Sequence, residues 1–396
     1  MSTPRRTSRP RVGPLAANPA TAPDLDVDAL LDDPSTGIIV CCGSGGVGKT
    51  TTSAALALRA AERGRHVVVL TIDPARRLAQ ALGIEELDNT PRPVAGRLDA
   101  MMLDMKRTFD EVVESQASPE KARQILDNPF YIALSSSFAG TQEYMAMEKL
   151  GQLHRDARRD GTYDLIVVDT PPSRSALDFL DAPERLSSFL DGRFIRLLLA
   201  PARGPAKLMT AGLSMVTNAL TKVLGAQVLR DMQTFVAAFD TLFGGFRQRA
   251  QKTFQLLQAD GTAFLVVAAP EADAMREAAY FVERLSEDRM PLAGLVVNRA
   301  TQPPVGDLSA DEALTVAARL ARKRNGAGSL TAGLLRLHAD RSRMVEREAL
   351  LRERFAAAHP AVPTVVVPAL STDVHDLDGL HEVGMLLAGA PRRPVR

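Results

Sequence analysis

Eight consecutive residues, Gly43-Ser44-Gly45-Gly46-Val47-Gly48-Lys49-Thr50, fit the pattern G-x-x-x-x-G-K-[ST]. Glycines at this density let successive backbone N–H groups turn toward a single anion, and a helix starting directly after them adds the positive end of its dipole. Lysine at the seventh position can neutralise phosphate oxygens, and the hydroxyl after it can ligate Mg2+. The predicted chemistry is therefore the grip of a nucleoside triphosphate, with Lys49 on the β- and γ-phosphates and Thr50 on the metal. A merely structural turn has no need of Lys and Thr at these offsets.

Two carboxylates extend this chemistry. Asp169 closes the apolar run Leu165-Ile166-Val167-Val168 and precedes Thr170-Pro171-Pro172, while Asp73 closes another apolar run and precedes Pro74-Ala75. Acids at the C-terminal ends of parallel strands lie where a doubly wound fold binds ligand, and an acid after such a run is placed to support a magnesium shell. Asp73 is the weaker signal by itself, because Asp-Pro is also a common turn.

These residues need strands to carry them. Apolar runs at Gly37–Cys42, His66–Asp73, Leu98–Asp104, Asp164–Asp169, Ala263–Ala269, Leu292–Asn298 and Thr364–Val367 predict six or seven strands. Several are apolar on both faces, as expected of strands between two helix layers. Helical stretches over Thr51–Arg63, Ala274–Ser286 and Ser342–Ala358 alternate with them. The expected class is α/β: a P-loop fold with a doubly wound, mostly parallel sheet flanked by helices. Residues 1–35, with prolines at 4, 10, 14, 19, 23 and 34, read as a flexible arm, residues 36–390 as the main domain, and 391–396 as a tail. Within the domain, 106–160 reads as a polar helical stretch. Residues 182–260, with Leu, Met and Phe at three- and four-residue spacing, read as an inserted helical subdomain. The segment 303–342 reads as helical, with Gly326 and Gly328 in a turn.

Composition bounds the rest. The 396 residues are 45% hydrophobic, and 48 basic against 47 acidic residues leave a net charge of +1, so no global field draws the chain to nucleic acid or anionic lipid. The adjacent Cys41 and Cys42 cannot staple distant segments, and two thiols do not make a structural zinc site. The arginines at 5, 6, 9 and 11 are followed by prolines and alanines instead of an apolar core, which argues against a secretory signal and for the cytoplasm. The most membrane-like stretch, Leu208–Thr221, is uncharged for 14 residues, short of the roughly 18 to 20 that span a bilayer. No transmembrane segment and no nucleic-acid partner are expected; peripheral membrane contact stays open.

Taken together, the motifs resemble the ArsA-type family, the arsenite-efflux ATPases and the ATPases that deliver tail-anchored membrane proteins, within the deviant Walker A group. The segment Gly45-Gly46-Val47-Gly48-Lys49-Thr50-Thr51 is similar to the family's phosphate loop, Asp73-Pro74-Ala75 to its switch I and Asp169-Thr170-Pro171-Pro172 to its switch II. Pro270-Glu271 resembles the family's PE turn, Val296-Val297-Asn298 the strand whose Asn contacts adenine, and Val367-Pro368 before Asp373-Val374 the final adenine-side loop. The resemblance implies a dimeric ATPase using ATP and Mg2+. Asp73 would orient the attacking water, and Asn298 and Pro368 would sit by the base. Nucleotide state would move the helical insert.

Departures from the family pattern matter as much. Ser44 stands where the family's phosphate loop has a lysine that crosses the dimer to the partner's nucleotide. Cations supplied in this way are worth roughly 10³ to 10⁵ in rate, so a homodimer should be slow. Arg76, Arg77 and Arg174 are candidate replacements, and the preferred arrangement is a heterodimer with a paralogue that carries the lysine. The insert has no cysteine, which disfavours metalloid sensing, and its apolar residues serve either as its own core or as a groove for an apolar helical client. A non-catalytic ATP-binding regulatory subunit is the alternative of a different class, followed by a positioning ATPase of the ParA/MinD kind.

Overall fold

The computed structural model describes residues 22–129, 131–132, 135, 141–171, 245, 248–322 and 326–389. The described strands are β1 (Ile38–Cys42), β2 (Val67–Thr71), β3 (Arg92–Ala95), β4 (Leu98–Met102), β5 (Leu165–Asp169), β6 (Thr262–Ala268), β7 (Leu292–Ala300) and β8 (Thr364–Pro368). They form one sheet in the order β3-β4-β2-β5-β1-β6-β7-β8. All pairs are parallel except β3 with β4. The described helices are α1 (Val27–Asp32), α2 (Lys49–Glu62), α3 (Arg77–Leu82), α4 (Met105–Gln116), α5 (Pro119–Leu126), α6 (Thr141–Asp160), α7 (Ala272–Glu287), α8 (Ala310–Ala321), α9 (Gly326–Ala358) and α10 (Leu377–Leu387). The α/β class with a mostly parallel sheet is the one the apolar runs predict.

The central strands β1, β2, β5 and β6 are buried at every position, because both sheet faces are covered. The alternation of side chains divides their residues between two cores. Ile38, Val40 and Cys42 pack on one face with Phe109, Met145, Leu150 and Phe281. Ile39 and Cys41 pack on the other with Leu56, Leu82, Leu380 and Leu387. The second core is the one that holds α2 against the sheet, and α10 packs over α2.

Three details differ from the sequence reading. Residues 22–35, expected to belong to the arm, are built in: α1 is capped by Asp26, whose carboxylate accepts from the Ala29 N–H at 2.9 Å, and Leu31 is fully buried. Asp28 receives both Arg59 Nε and Arg59 Nη2 at 2.6 Å, which ties α1 to α2. A six-residue helix between Pro23 and Pro34 is too short to show a period. Strand β3 also went unseen: it is a half-exposed edge strand carrying Pro93, where a missing N–H is tolerated. Finally, Gly326 and Gly328 open the 33-residue helix α9 and do not form a turn. The cost of a glycine, about 1 kcal/mol, is small against a helix of that length. The helical stretch 106–160 is seen as α4, α5 and α6, whereas most of the 182–260 insert and the 391–396 tail lie outside the described residues. Among the described residues no helix is long and apolar enough to cross a membrane.

Cys41 and Cys42 are free and fully buried on opposite faces of β1. Burial pushes the Cys41 thiol up to about 12 and raises Cys42 as well. Iodoacetamide at pH 8 should label neither thiol in the native protein and both in denaturant. Rapid native labelling would show that β1 is not enclosed as described.

Candidate functional site

The C-terminal end of β1 runs straight into the glycine loop, and the loop runs straight into α2, whose N-cap is Gly48. Two of the glycines are there for space. Gly43 lies so close to the backbone of β6 that a Cβ would overlap the Val267 carbonyl oxygen. Gly48 has φ of 93° and lies against the Asn298 amide. Side chains at these positions would push the loop off the sheet.

Sheet order supplies the acids. Strand β5 lies between β1 and β2, and the register places Asp169 level with both Cys41 and Thr71. The Asp169 carboxylate is fully buried, and its Oδ2 accepts from the hydroxyls of Thr50 and Thr71, each at 2.9 Å. Its Oδ1 is buried without a hydrogen-bond partner among the described residues. Burial raises the Asp169 carboxyl to about 6, against the lowering effect of the two hydroxyl bonds and the Lys49 charge. Lys49 is itself buried. Its ammonium donates to the Ser44 carbonyl at 2.8 Å, and desolvation lowers its affinity for the proton.

Asp73 follows β2 by two residues. Its N–H donates to Thr71 Oγ1 at 3.2 Å, and its Oδ1 accepts from the Ala75 N–H at 3.0 Å, an Asx turn that fixes the carboxylate. Arg77 Nη1 lies 3.5 Å from Asp73 Oδ2. Arg76 instead turns to Glu86, 3.7 Å away, and Arg174 and Pro172 lie outside the described residues.

A cavity of about 520 Å³ opens over the loop. That volume is within the range of about 300 to 1,000 Å³ typical of small-molecule sites. Of the residues singled out from sequence, Gly46, Gly48, Lys49, Thr50, Thr51, Asp73, Asn298 and Pro368 line it together. Gly45 is exposed on the loop, Val47 is buried behind it, and Asp169 lies beneath Thr50. Asn298 does more than line the wall: its Nδ2 donates to the Val47 carbonyl at 2.9 Å. Sequence reasoning overlooked Thr71 and Arg299, although Thr71 stands two residues before Asp73, and it quoted Thr170 within the Asp169-Thr170-Pro171-Pro172 motif without giving it a role of its own. Thr170 donates to the Cys41 carbonyl at 2.8 Å and Arg299 to the Gly46 carbonyl at 2.8 Å, and both line the cavity.

The donor set suits a hard cation held at one side of the protein. Thr50 Oγ1 keeps lone pairs free while its proton goes to Asp169, and Asp169 Oδ1 is an unused buried acceptor of the kind a metal-bound water satisfies. Among the described residues no cluster of three or more His, Cys, Asp and Glu forms a metal cage. A phosphate-bound Mg2+ has no need of one, since it takes most of its ligands from phosphate and water.

Comparison with known proteins finds a matching family and several relatives. A family model described as an anion-transporting ATPase matches residues 36–317, which include the loop, both acids, Asn298 and Arg299 but stop short of Pro368. The chain is 26% identical to a protein named as an ATPase ASNA1 homolog from Cryptosporidium parvum, over 66% of this chain and 64% of that relative. It is 27% identical to the ATPase GET3 of Malassezia globosa, over 70% of this chain and 76% of the relative. A third match, at 31%, is to the arsenical pump-driving ATPase of Acidiphilium multivorum, over 38% of this chain and 26% of the relative.

The buried carboxyl makes a pH prediction with an unusual sign. Asp169 is raised from 3.8 to about 6, so the folded chain holds an extra proton through that window and the stability owed to this group falls as pH rises across it. The melting temperature of the wild type relative to Asp169→Asn, measured without nucleotide, should therefore decline between about pH 4 and pH 6.5. A difference that is flat or rising with pH would show that the carboxyl is not shifted upward.

Proposed function

The chain belongs to the anion-transporting ATPase family, and on that premise we propose that it binds Mg-ATP in the cavity above the loop and hydrolyses it. The observation that carries this reading is the convergence of Lys49, Thr50 and Asp73 on one cavity with Asp169 directly beneath Thr50, brought together from segments that follow or end β1, β2 and β5. The loop amides and the Lys49 ammonium hold the phosphates. Thr50 and Asp169 would hold the magnesium, which when bound neutralises charge on the phosphate oxygens. Asp73 is nearly buried and fixed by its Asx turn, and it accepts a hydrogen bond from the attacking water and orients it in line. The Asn298 and Pro368 walls receive the base.

Ser44 bears on the rate. With a hydroxyl in place of the lysine that the family resemblance implies, a homodimer lacks a cation reaching across to the partner's phosphates. Arg77 is the described alternative, half exposed on the cavity wall and close to Asp73. The proposed working form is a heterodimer with a paralogue that has the lysine, in which nucleotide state moves the 182–260 insert that the sequence predicts as helical. A regulatory subunit that binds ATP without hydrolysing it is the second reading, favoured by Ser44 alone.

Calorimetry on the wild type should detect Mg-ADP and Mg-ATP, and Lys49→Ala should abolish both. Asp73→Asn should retain binding while lowering hydrolysis, alone or beside a paralogue, by about 10² to 10⁴-fold, the usual worth of a positioned base. No binding by folded wild type at millimolar nucleotide would overturn the proposal. Unchanged hydrolysis by the complex after Asp73→Asn would hand the chemistry to the partner and leave the regulatory reading. Equal turnover per site with and without a lysine-bearing paralogue would defeat the heterodimer.

A further inference from the structure

Strand β7 departs from regular geometry where it meets the phosphate loop. Val297 pairs with Val366 and Ala300 pairs with Pro368, so β7 spends one residue more than β8 across this interval, a β-bulge. Within the bulge Arg299 has φ of 60°, one of two non-glycine residues with positive φ among those described. The other, Arg289, follows the C-terminus of α7, where a left-handed residue is ordinary. Arg299 is different, since it lies inside a strand and its strained backbone must be maintained by its surroundings.

The bulge changes where two neighbouring side chains go. In a regular strand, residues 298 and 299 would point to opposite faces of the sheet. Here both reach the same loop: Asn298 Nδ2 donates to the Val47 carbonyl at 2.9 Å and Arg299 Nη1 to the Gly46 carbonyl at 2.8 Å. Asn298 Oδ1 also accepts from the Arg299 N–H at 2.9 Å, which closes the bulge on itself. Carbonyl and N–H point in opposite directions across a trans peptide. Drawing two successive carbonyls toward β7 therefore turns the N–H groups of Val47 and Gly48 away from it.

From this we infer that Arg299 is a positioning residue for phosphate binding, held in a left-handed bulge so that its guanidinium fixes the Gly46–Val47 peptide with the Val47 N–H toward the phosphates. It works on a loop whose first variable position is the uncharged Ser44, and it adds a fixed positive charge to the cavity wall. The inference rests on the nucleotide-binding reading above.

A purely structural clamp and a positioning residue respond differently to Arg299→Gly, because glycine adopts φ of 60° without strain. The positioning role predicts that this variant melts, without nucleotide, at or above the wild-type temperature, yet binds Mg-ADP about tenfold more weakly in calorimetry, which is about 1.4 kcal/mol. Arg299→Lys, which keeps one cationic donor, should recover part of the loss. Wild-type affinity in Arg299→Gly would overturn the inference, and so would a fall in melting temperature that accounts for the weakened binding. Failure of the wild type itself to bind Mg-ADP would instead sink the nucleotide reading.

Discussion

One fully buried carboxylate governs the arrangement of this molecule's working end. Asp169 has no water to solvate it, and burying an unpaired charge is among the costliest things a fold can do. It is tolerated because two other parts of the chain arrive at the same level: the start of α2, with the Thr50 hydroxyl and the Lys49 charge, and the end of β2, with the Thr71 hydroxyl. The parallel register of β5 with β1 and β2 enforces that coincidence. A slip of one residue would turn Asp169 to the other face and leave both hydroxyls without an acceptor.

From that point the site grows outward in layers. Thr71 donates to Asp169 and accepts from the Asp73 N–H, so the buried carboxylate and the turn that holds Asp73 are joined through one hydroxyl. On the far side, β6 and β7 shape the loop by contact: Val267 leaves room only for a glycine at position 43, and the bulge in β7 supplies two donors. The loop is thus held at its base by close packing and at its crown by hydrogen bonds. Neither constraint comes from the eight loop residues themselves.

That division explains how much could be read in advance. Lys49 and Thr50 were legible because their chemistry depends on local spacing, and the α/β class because doubly buried strands have continuous apolar runs. Asp169 and Asp73 were visible as acids ending such runs. Their mutual placement was not, since it depends on β5 lying between β1 and β2, an order no local pattern specifies. Arg299 was invisible for a related reason: a bulge is a property of pairing between β7 and β8. Helix α1 and strand β3 escaped because each is short and proline-flanked or proline-bearing, and each is stabilised by partners far away in sequence.

The cavity also joins the two extremes of the described chain. Its lining takes Gly46, Gly48 and Lys49 to Thr51 from one end and, from the other, Val367 to Leu370, Thr372 to Val374 and Val383 of α10. Strand β8, which leads into the second group, is flanked on its outer side by Asp24, whose bridge to Thr364 brings the N-terminal segment alongside. A nascent polypeptide leaving the ribosome therefore displays residues 46–51 long before residues 367–374 have been translated. Both walls of the cavity exist only once residues 367–374 have been made, so its occupation by any ligand has to follow synthesis of β8.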